Sequence, residues 1–368
     1  MAPFIRSTLK LVAINVAVLA GLLIPIELIF GNWIRPMSLS DLKRFSIPIN
    51  IGFEFDTSTL YSGGPRNPIR YTRDQWGLRG SYQSLREVDV VTVGGSTTDQ
   101  RYLDDAATWQ AVAQRELQRK GQPLIFANAG VDGQSTVGHV FNFQYWFPLM
   151  QDLRPRAVLF YFGINDVLRH QERGDYDGRV DATSWRVRSA TYQFIRTVRD
   201  NMRARNVRVW HGRMRPLTAD DFTEQGLLTP EQRQAVTRQV ADNILAKIEV
   251  LRANVETIGA APVFVTQTAY AWNADRATPR GLKETVTVHG YTMNYADVAY
   301  LHQGVNRRLL DYCKERGIVC FDLASDVKFD VADYYDYTHN TPRGAEKIGH
   351  YLADRLLQVQ PILASRRQ

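Results

Sequence analysis

Five short apolar segments constrain the fold of this chain more than any other feature of its sequence. They are rich in β-branched and aromatic residues, as buried strands are: Val88–Val93, Leu124–Asn128, Ala157–Phe162, Pro262–Thr266 and Ile318–Leu323. Segments with helical periodicity alternate with them: Ala107–Lys120, 230–257, Val305–Arg316 and Gly344–Leu357. Short apolar strands that alternate with amphipathic helices predict an α/β fold whose parallel sheet is covered on both faces.

The overall composition excludes several classes of protein. The chain has 368 residues, of which 44% are hydrophobic and 23% charged, and its formal net charge is +7. These values are close to those of ordinary globular domains, so long disorder, collagen and coiled coil are excluded for the whole chain. The length allows one large domain or two small ones. Two cysteines, Cys313 and Cys320, cannot build a disulfide-rich scaffold or, alone, a four-ligand zinc site.

The N-terminal part of the chain contains an apolar segment, Leu11–Ile34, that is long enough to cross a bilayer as a helix. Glu27 lies close enough to the end of this segment to reach the membrane interface, and Trp33 is typical of an interfacial anchor. Arg6 and Lys10 precede the segment, which favours a cytoplasmic N-terminus. We therefore expect a single-pass anchor, with the rest of the chain on the periplasmic or extracellular side.

Two alternatives to the uncleaved anchor stay open. A cleaved signal peptide would have Val18 and Ala20 at its cleavage site, although the apolar segment continues past them. A buried core helix is the second alternative. Outside the cytoplasm a disulfide between Cys313 and Cys320 is chemically allowed, and two separate reduced thiols are the other possibility.

The predicted organisation is an anchor over residues 1–35, a lead-in over 36–84 and one α/β domain over 85–368. The lead-in is rich in proline, glycine and serine, which predicts irregular structure. An insertion at about 168–228 breaks the strand–helix alternation. Its arginines are Arg169, Arg173, Arg179, Arg186, Arg188, Arg196, Arg199, Arg203, Arg205, Arg208, Arg213 and Arg215. The insertion is either a solvated basic helix or a surface for anionic lipid headgroups or an acidic glycan. Nothing in it marks a nucleic-acid-binding module.

Four loops that follow predicted strands carry residues typical of acyl-transfer chemistry: Gly94–Thr98, Asn128–Ser135, Gly163–Asp166 and Asp336–His339. In parallel α/β sheets the site lies at the carboxyl ends of the strands, so we expect these loops to meet. Together they supply a serine, glycine N–H groups, an asparagine amide and an Asp/His pair. Acyl transfer needs this set, because it requires a nucleophile, oxyanion donors, a base and an orienting carboxylate. The first loop is neither a phosphate-binding loop nor a G-x-S-x-G elbow.

These loops resemble, in order, the four sequence blocks of the SGNH hydrolase superfamily, also called GDSL-type esterases and lipases. The resemblance implies a three-layer α/β/α flavodoxin-like fold with a five-stranded parallel sheet. It implies that Ser96 is the nucleophile and that Asp336 and His339 complete a catalytic triad. The backbone N–H groups of Ser96 and Gly133 and the side-chain amide of Asn165 would form the oxyanion hole. No metal or cofactor is implied.

The resemblance covers about residues 85–360 and departs from the family in the first block. Gly95 and Thr97 stand where the family name implies Asp and Leu, which resembles a branch of SGNH proteins often found in envelope and exopolysaccharide contexts. Residues 70–80, RYTRDQWGLRG, resemble a segment upstream of the serine strand in membrane-anchored members. The expected function is a serine esterase that removes acetyl or another short acyl group from an envelope carbohydrate or lipid. An O-acyltransferase with the same triad and a non-catalytic envelope assembly protein are the alternatives.

Overall fold

The structure is a computed structural model that describes residues 2–33, 37–45, 47–62, 67–168, 184–204, 214–273 and 279–364. The chain divides into two compact units. The first contains residues 1–45 and 181–208, and the second contains residues 46–180 and 209–368.

The described residues contain strands and helices that are numbered in chain order. The strands are β1 (Ile51–Phe55), β2 (Ile69–Arg73), β3 (Val90–Gly94), β4 (Phe126–Asn128), β5 (Ala157–Tyr161), β6 (Phe222–Thr223), β7 (Ala261–Val265), β8 (Trp272–Asn273), β9 (Arg280–Leu282), β10 (Thr285–Val288), β11 (Tyr291–Asn294) and β12 (Val319–Phe321). The helices are α1 (Ala2–Phe30), α2 (Ser96–Asp99), α3 (Trp109–Arg119), α4 (Thr136–Phe141), α5 (Ile164–Val167), α6 (Trp185–Arg188), α7 (Ala190–Ala204), α8 (Pro230–Thr257), α9 (Tyr295–Arg316), α10 (Leu323–Asp326) and α11 (Pro342–Ala364).

Five of these strands form the central sheet of the second unit, in the order β12-β7-β5-β3-β4. Every neighbouring pair is parallel, so the predicted five-stranded parallel sheet is confirmed. The register pairs Gly94 at the end of β3 with Tyr161 at the end of β5, and Tyr161 with Val265 at the end of β7. The carboxyl ends of three neighbouring strands therefore lie along one edge of the sheet.

The two faces of the sheet bury different side chains, because successive residues of a strand point to opposite faces. Leu159 and Val263 belong to a buried cluster that includes Leu117 of α3 and residues of α11. The residues that follow them in their strands, Phe160 and Phe264, stack with ring centroids 5.0 Å apart. Helices α3 and α11 pack together, and α8 packs against α9 and β7. Each buried aliphatic or aromatic side chain contributes about 1.5–3 kcal/mol through the apolar surface it removes from water.

Two long helices show how local signals set their starting points. Helix α8 begins where the sequence predicts, with Thr229 as N-cap and Pro230 in the first turn, and the Thr229 hydroxyl accepts from the N–H of Gln232. The helix predicted from Val305 begins earlier, at Tyr295. The Asn294 side chain caps it there by accepting from two backbone N–H groups of the first turn.

The lead-in contains an antiparallel hairpin, so the prediction of irregular structure is wrong for β1 and β2. Phe55 of β1 pairs with Ile69 of β2, and Gly52 pairs with Thr72. The side chains of Phe55, Ile69 and Tyr71 join the main hydrophobic cluster of the second unit. Proline and glycine dominate the local sequence here, whereas strand pairing depends on cross-strand contacts and burial that a short sequence window does not contain.

The first unit contains the apolar helix α1. Its segment Lys10–Phe30, 21 residues long, is long and apolar enough to cross a membrane. Most apolar side chains of this segment are exposed in the folded chain, and none is buried. The helix is therefore not a buried core helix, which was one of the alternatives for this segment.

The arginine-rich insertion is shared between the two units. Residues 184–204 belong to the first unit, and 214–228 belong to the second. Six of its arginines lie outside the described residues: Arg169, Arg173, Arg179, Arg205, Arg208 and Arg213. Farther along the chain, Cys313 of α9 and Cys320 of β12 form a disulfide with their Cα atoms 6.1 Å apart.

Candidate active site

Ser96 lies at a tight turn between strand β3 and the short helix α2. A Cβ at Gly94 would collide with the carbonyl oxygen of Tyr161, and one at Gly95 would collide with the side-chain amide of Asn165. The two glycines are therefore required by the close approach of neighbouring loops. This turn leaves the Ser96 side chain at the carboxyl edge of the sheet and only partly buried.

The structure brings the three predicted triad residues together. His339 Nε2 lies 2.7 Å from Ser96 Oγ, and His339 Nδ1 lies 2.7 Å from Asp336 Oδ2. With the ring proton on Nδ1, His339 donates a hydrogen bond to the Asp336 carboxylate, and its Nε2 accepts a hydrogen bond from the Ser96 hydroxyl. This is the hydrogen-bond arrangement of a serine nucleophile with its general base and orienting carboxylate.

Local contacts hold both ends of the Asp336–His339 pair. Asp336 Oδ1 accepts from the backbone N–H groups of Thr338 at 2.9 Å and His339 at 2.8 Å. The Tyr335 ring stacks on the imidazole with an interplanar angle of 9°. Two backbone N–H groups thus orient the carboxylate and the Tyr335 ring packs on the imidazole, which limits the rotamers that the pair can adopt.

The electrostatic surroundings favour the protonated form of His339. Burial works against protonation, but the hydrogen bond and charge of Asp336, together with the charges of Asp132 and Asp99, raise the pKa of His339 above its ordinary value. Asp132 lies on the loop between β4 and α4, next to Gly133. The imidazole therefore binds a proton from Ser96 more readily than an isolated histidine would.

Of the three residues expected to stabilise an oxyanion, Gly133 and Asn165 lie on loops that contact each other. Asn165 Nδ2 packs against Gly95, where a Cβ would collide with it. It donates to the carbonyl of Gln134 at 2.8 Å. Gly133 precedes Gln134 and has φ +77°, a left-handed conformation in which a side chain would be strained. The amide of Asn165 therefore lies beside the Ser96 turn and contacts the loop that contains Gly133.

A buried glutamine that the sequence analysis did not identify joins two of these loops. Gln267 Nε2 donates to Thr97 Oγ1 at 2.6 Å, and its Oε1 accepts from the backbone N–H of Ile164 at 2.7 Å. Thr97 follows Ser96, and Ile164 precedes Asn165. Gln267 therefore bridges the Gly94–Thr98 loop and the Gly163–Asp166 loop. Its position just after strand β7 is the sequence signal that would have identified it.

The Gly163–Asp166 loop is also hydrogen-bonded to the start of α4, which directly follows the Asn128–Ser135 loop. The Asp166 carboxylate accepts from the Thr136 hydroxyl at 2.5 Å and from the Thr136 N–H at 3.2 Å. Because Asp166 follows Asn165, these two hydrogen bonds fix the loop that contains Asn165 against the start of α4. Three of the four sequence blocks are thereby connected through buried polar side chains.

Residues 70–80 contact the end of helix α2, which begins at Ser96, through buried polar side chains. Arg73 Nη2 forms a buried ion pair of 2.6 Å with Asp99, the last residue of α2, and Arg73 also donates to the carbonyl of Gly130. Tyr71 Oη donates to the same carboxylate at 2.9 Å. Arg79 donates to the carbonyl of Asp99. Burial opposes ionisation of Asp99, but the surrounding arginines lower its pKa below the ordinary value.

Among the described residues no group of His, Cys, Asp or Glu is arranged to hold a metal ion.

Solved structures provide the comparison with known proteins. No family model matches the chain, and no curated protein matches it at a significant level. A member of the lipolytic protein G-D-S-L family from Veillonella parvula matches with a TM-score of 0.41 and 13% identity, over 74% of this chain and 97% of its own. A GDSL-like lipase from Bacteroides thetaiotaomicron has a TM-score of 0.37 and 13% identity, over 77% of this chain and 92% of its own.

A catalytic mutant of an acetylxylan esterase from Geobacillus stearothermophilus matches with a TM-score of 0.41 and 11% identity, over 73% of this chain and 94% of its own. Two of these solved structures are thus described as GDSL-type proteins and the third as an acetylxylan esterase.

Proposed function

We propose that this chain is a serine esterase that cleaves an O-acyl ester through an acyl-enzyme intermediate. One observation carries the proposal: His339 lies within 2.7 Å of both Ser96 Oγ and Asp336 Oδ2 at the carboxyl edge of the sheet. A nucleophile, a base and an orienting carboxylate in mutual hydrogen-bond contact form the machinery of acyl transfer.

In the proposed first step, His339 Nε2 takes the Ser96 proton while Ser96 Oγ attacks the ester carbonyl carbon. The carbonyl π electrons move to the oxygen, and a tetrahedral intermediate with an oxyanion forms. When the carbonyl re-forms, the bond to the alcohol oxygen breaks and His339 gives its proton to that oxygen. The products are a free alcohol and an ester on Ser96. Asp336 stabilises the imidazolium that exists between the two proton transfers.

In the second step water replaces the alcohol. His339 removes a proton from the water, the hydroxyl attacks the acyl carbon, and Ser96 Oγ leaves with the proton. We propose that Asn165 and the backbone N–H groups of Ser96 and Gly133 donate to the oxyanion in both steps. Each such donor typically contributes about 10²–10³ in rate.

The substrate we propose is an acetyl or other short acyl ester of an envelope carbohydrate or lipid. Two features support this class. The apolar helix α1 suits a membrane anchor that keeps the catalytic unit at the cell envelope. The GGST form of the first block, with Gly95 and Thr97, resembles envelope-associated SGNH proteins rather than the lipases that give the family its name.

The proposal is tested with the full-length protein in detergent micelles and a series of p-nitrophenyl esters from acetate to laurate. Turnover should be fastest for the shortest chains, Ser96→Ala should abolish it, and a fluorophosphonate probe should label Ser96. Ser81→Ala, which changes an exposed serine of the same unit, is the control and should keep full activity.

A screen of acetylated oligosaccharides with and without a second sugar as acceptor separates the hydrolase from an acyltransferase. Release of free acetate would support the esterase activity. Transfer of the acetyl group to the acceptor sugar would instead show that the chain is an acyltransferase. A protein that turns over no ester and leaves Ser96 unlabelled would refute both and favour the assembly-protein alternative.

A further inference from the structure

Helix α7 of the first unit presents an exposed apolar strip. Phe194 is 69% exposed, Ile195 is 62% exposed and Val198 is 40% exposed. At about 100° of rotation per residue, these three side chains point to one side of the helix. Trp185 of the preceding helix α6 is also exposed. Large apolar side chains grouped on one exposed face are typical of a surface that contacts a lipid or protein partner.

The rest of this helical segment is strongly basic. Residues 184–204 contain five arginines and one aspartate. Arg199 is exposed on α7, and Arg186 is exposed on α6. Around the α7 axis, Arg196 and Arg199 are displaced from the apolar strip by about a quarter to a half of a turn. An apolar face beside a basic face is the pattern of helices that lie in the interface of an anionic membrane.

A polar contact joins this segment to the apolar helix α1. The Glu27 carboxylate accepts from the Ser189 hydroxyl at 2.7 Å and from the backbone N–H groups of Ala190 and Thr191, each at 3.0 Å. The N–H of Asn32 donates to the carbonyl of Arg188 at 2.8 Å. A carboxylate at the first turn satisfies N–H groups that a helix leaves without intrahelical partners. The start of α7 is therefore fixed to the last turn of α1.

The length of α1 sets the depth of this contact in a membrane. The 21 residues of Lys10–Phe30 span about 31 Å as a helix, which matches a hydrocarbon core of about 30 Å. Glu27 lies within the last turn, so it and the start of α7 would lie at the boundary between acyl chains and headgroups. Helix α7 has 15 residues and several arginines, so it is too short and too charged to cross the bilayer as a second span.

We propose that α6 and α7 form an interfacial membrane-binding element that inserts the Phe194, Ile195 and Val198 strip among the acyl chains of an anionic phospholipid leaflet. Arg186 and Arg199 contact the phosphate headgroups. The proposal rests on the proposed membrane anchor and is independent of the catalytic proposal. Helix α7 then extends the contact of the chain with the leaflet in which α1 ends.

The test places the full-length chain in protein-free vesicles that contain a lipid with a nitroxide near the headgroup end of its acyl chain. An environment-sensitive NBD label is attached through Phe194→Cys in one sample. A second sample carries it through Gln193→Cys, which faces away from the apolar strip on the same helix. We expect NBD at residue 194 to emit at shorter wavelength and to be quenched by the nitroxide lipid, and NBD at residue 193 to be quenched much less.

The arginine contribution is tested by comparing phosphatidylcholine vesicles with vesicles that also contain phosphatidylglycerol. The variant Arg186→Gln/Arg199→Gln should weaken insertion of the residue 194 label on anionic vesicles by about fivefold per arginine and have little effect on neutral ones. Vesicle flotation confirms that α1 keeps every variant on the membrane.

Two results would overturn the proposal. Labels at 193 and 194 that are both in water, or equally quenched, would show that the strip does not face lipid and would assign it to a protein partner. Insertion that is independent of anionic lipid and of both arginines would refute the proposed contact with the headgroups. Because the vesicles contain no other protein and the readout involves no ester, neither result depends on whether Ser96 is catalytic.

Discussion

His339 Nε2 lies 2.7 Å from Ser96 Oγ, although the two residues are 243 positions apart in the sequence. The contact exists because the serine follows the end of β3 in a parallel sheet, while the histidine belongs to a loop at the same carboxyl edge. In this position His339 can both remove and return the serine proton, and each prediction about catalysis below follows from that contact or from a group that supports it.

Asp336→Asn is expected to lower kcat by about 10⁴, the loss caused by the corresponding change in serine proteases. The asparagine amide would donate to Nδ1, so the ring proton would move to Nε2 and block acceptance of the Ser96 proton. Steady-state kinetics with a short-chain ester measure the loss. Asp354→Asn, at an exposed position paired with Lys120, is the control. A loss of less than tenfold would contradict the role of Asp336.

The pH dependence of kcat/KM should report His339. Only neutral imidazole can accept the serine proton, so activity rises as pH increases through the pKa of His339. Since that pKa is raised, the inflection should lie above the ordinary histidine value of about 6.5. The Asp132 charge contributes to the increase, so Asp132→Asn should move the inflection to lower pH. An inflection that Asp132→Asn leaves unmoved would contradict this account.

Asn165→Ala is expected to reduce kcat by about 10²–10³ with little change in KM, because an oxyanion donor stabilises the transition state more than the ester ground state. Affinity for a boronic acid that mimics the tetrahedral intermediate should fall in parallel. Asn243→Ala, on the exposed face of α8, provides the control. A change confined to KM would instead indicate that Asn165 binds the ester without stabilising the oxyanion.

Gln267→Leu should lower both stability and kcat, since it leaves the Thr97 hydroxyl and the Ile164 N–H without their buried partner. Each unsatisfied group costs about 1–3 kcal/mol. A positioning role predicts that kcat falls while KM changes little, and that Gln267→Glu, which keeps the acceptor for Ile164, restores part of kcat. Thr97→Val and Gln267→Leu should be non-additive in a double-mutant cycle. Additive effects on kcat would contradict the bridge.

Arg73→Met should decrease the free energy of unfolding by about 3–5 kcal/mol, because it removes the ion-pair partner 2.6 Å from the buried Asp99 carboxylate. Chemical denaturation of the full-length protein in detergent measures the change. Arg86→Met removes one partner of the exposed Arg86–Asp152 pair and is the matched control; it should change stability by less than about 1 kcal/mol. Equal effects of the two variants would contradict the proposed support of α2.

Much of the architecture follows from local patterns. The five apolar segments could be recognised as strands because β-branched and aromatic residues between polar loops already favour extended structure. The rule that sites lie at the carboxyl ends of parallel strands then selected the loops that contain Ser96, Asn165 and His339. Local sequence also predicted the start of α8, where Thr229 and Pro230 act within a single turn.

Other features depend on contacts between distant segments and have no local signature. The pairing of β1 with β2 depends on cross-strand contacts. The Gln267 bridge and the Arg73–Asp99 ion pair join polar residues of types that are common in loops and surfaces. Their roles arise from burial, which makes a polar group costly unless a partner meets it. Local periodicity was therefore sufficient to predict the sheet and the loops of the candidate site, whereas the side chains that hold those loops together became identifiable only when the folded chain brought them into contact.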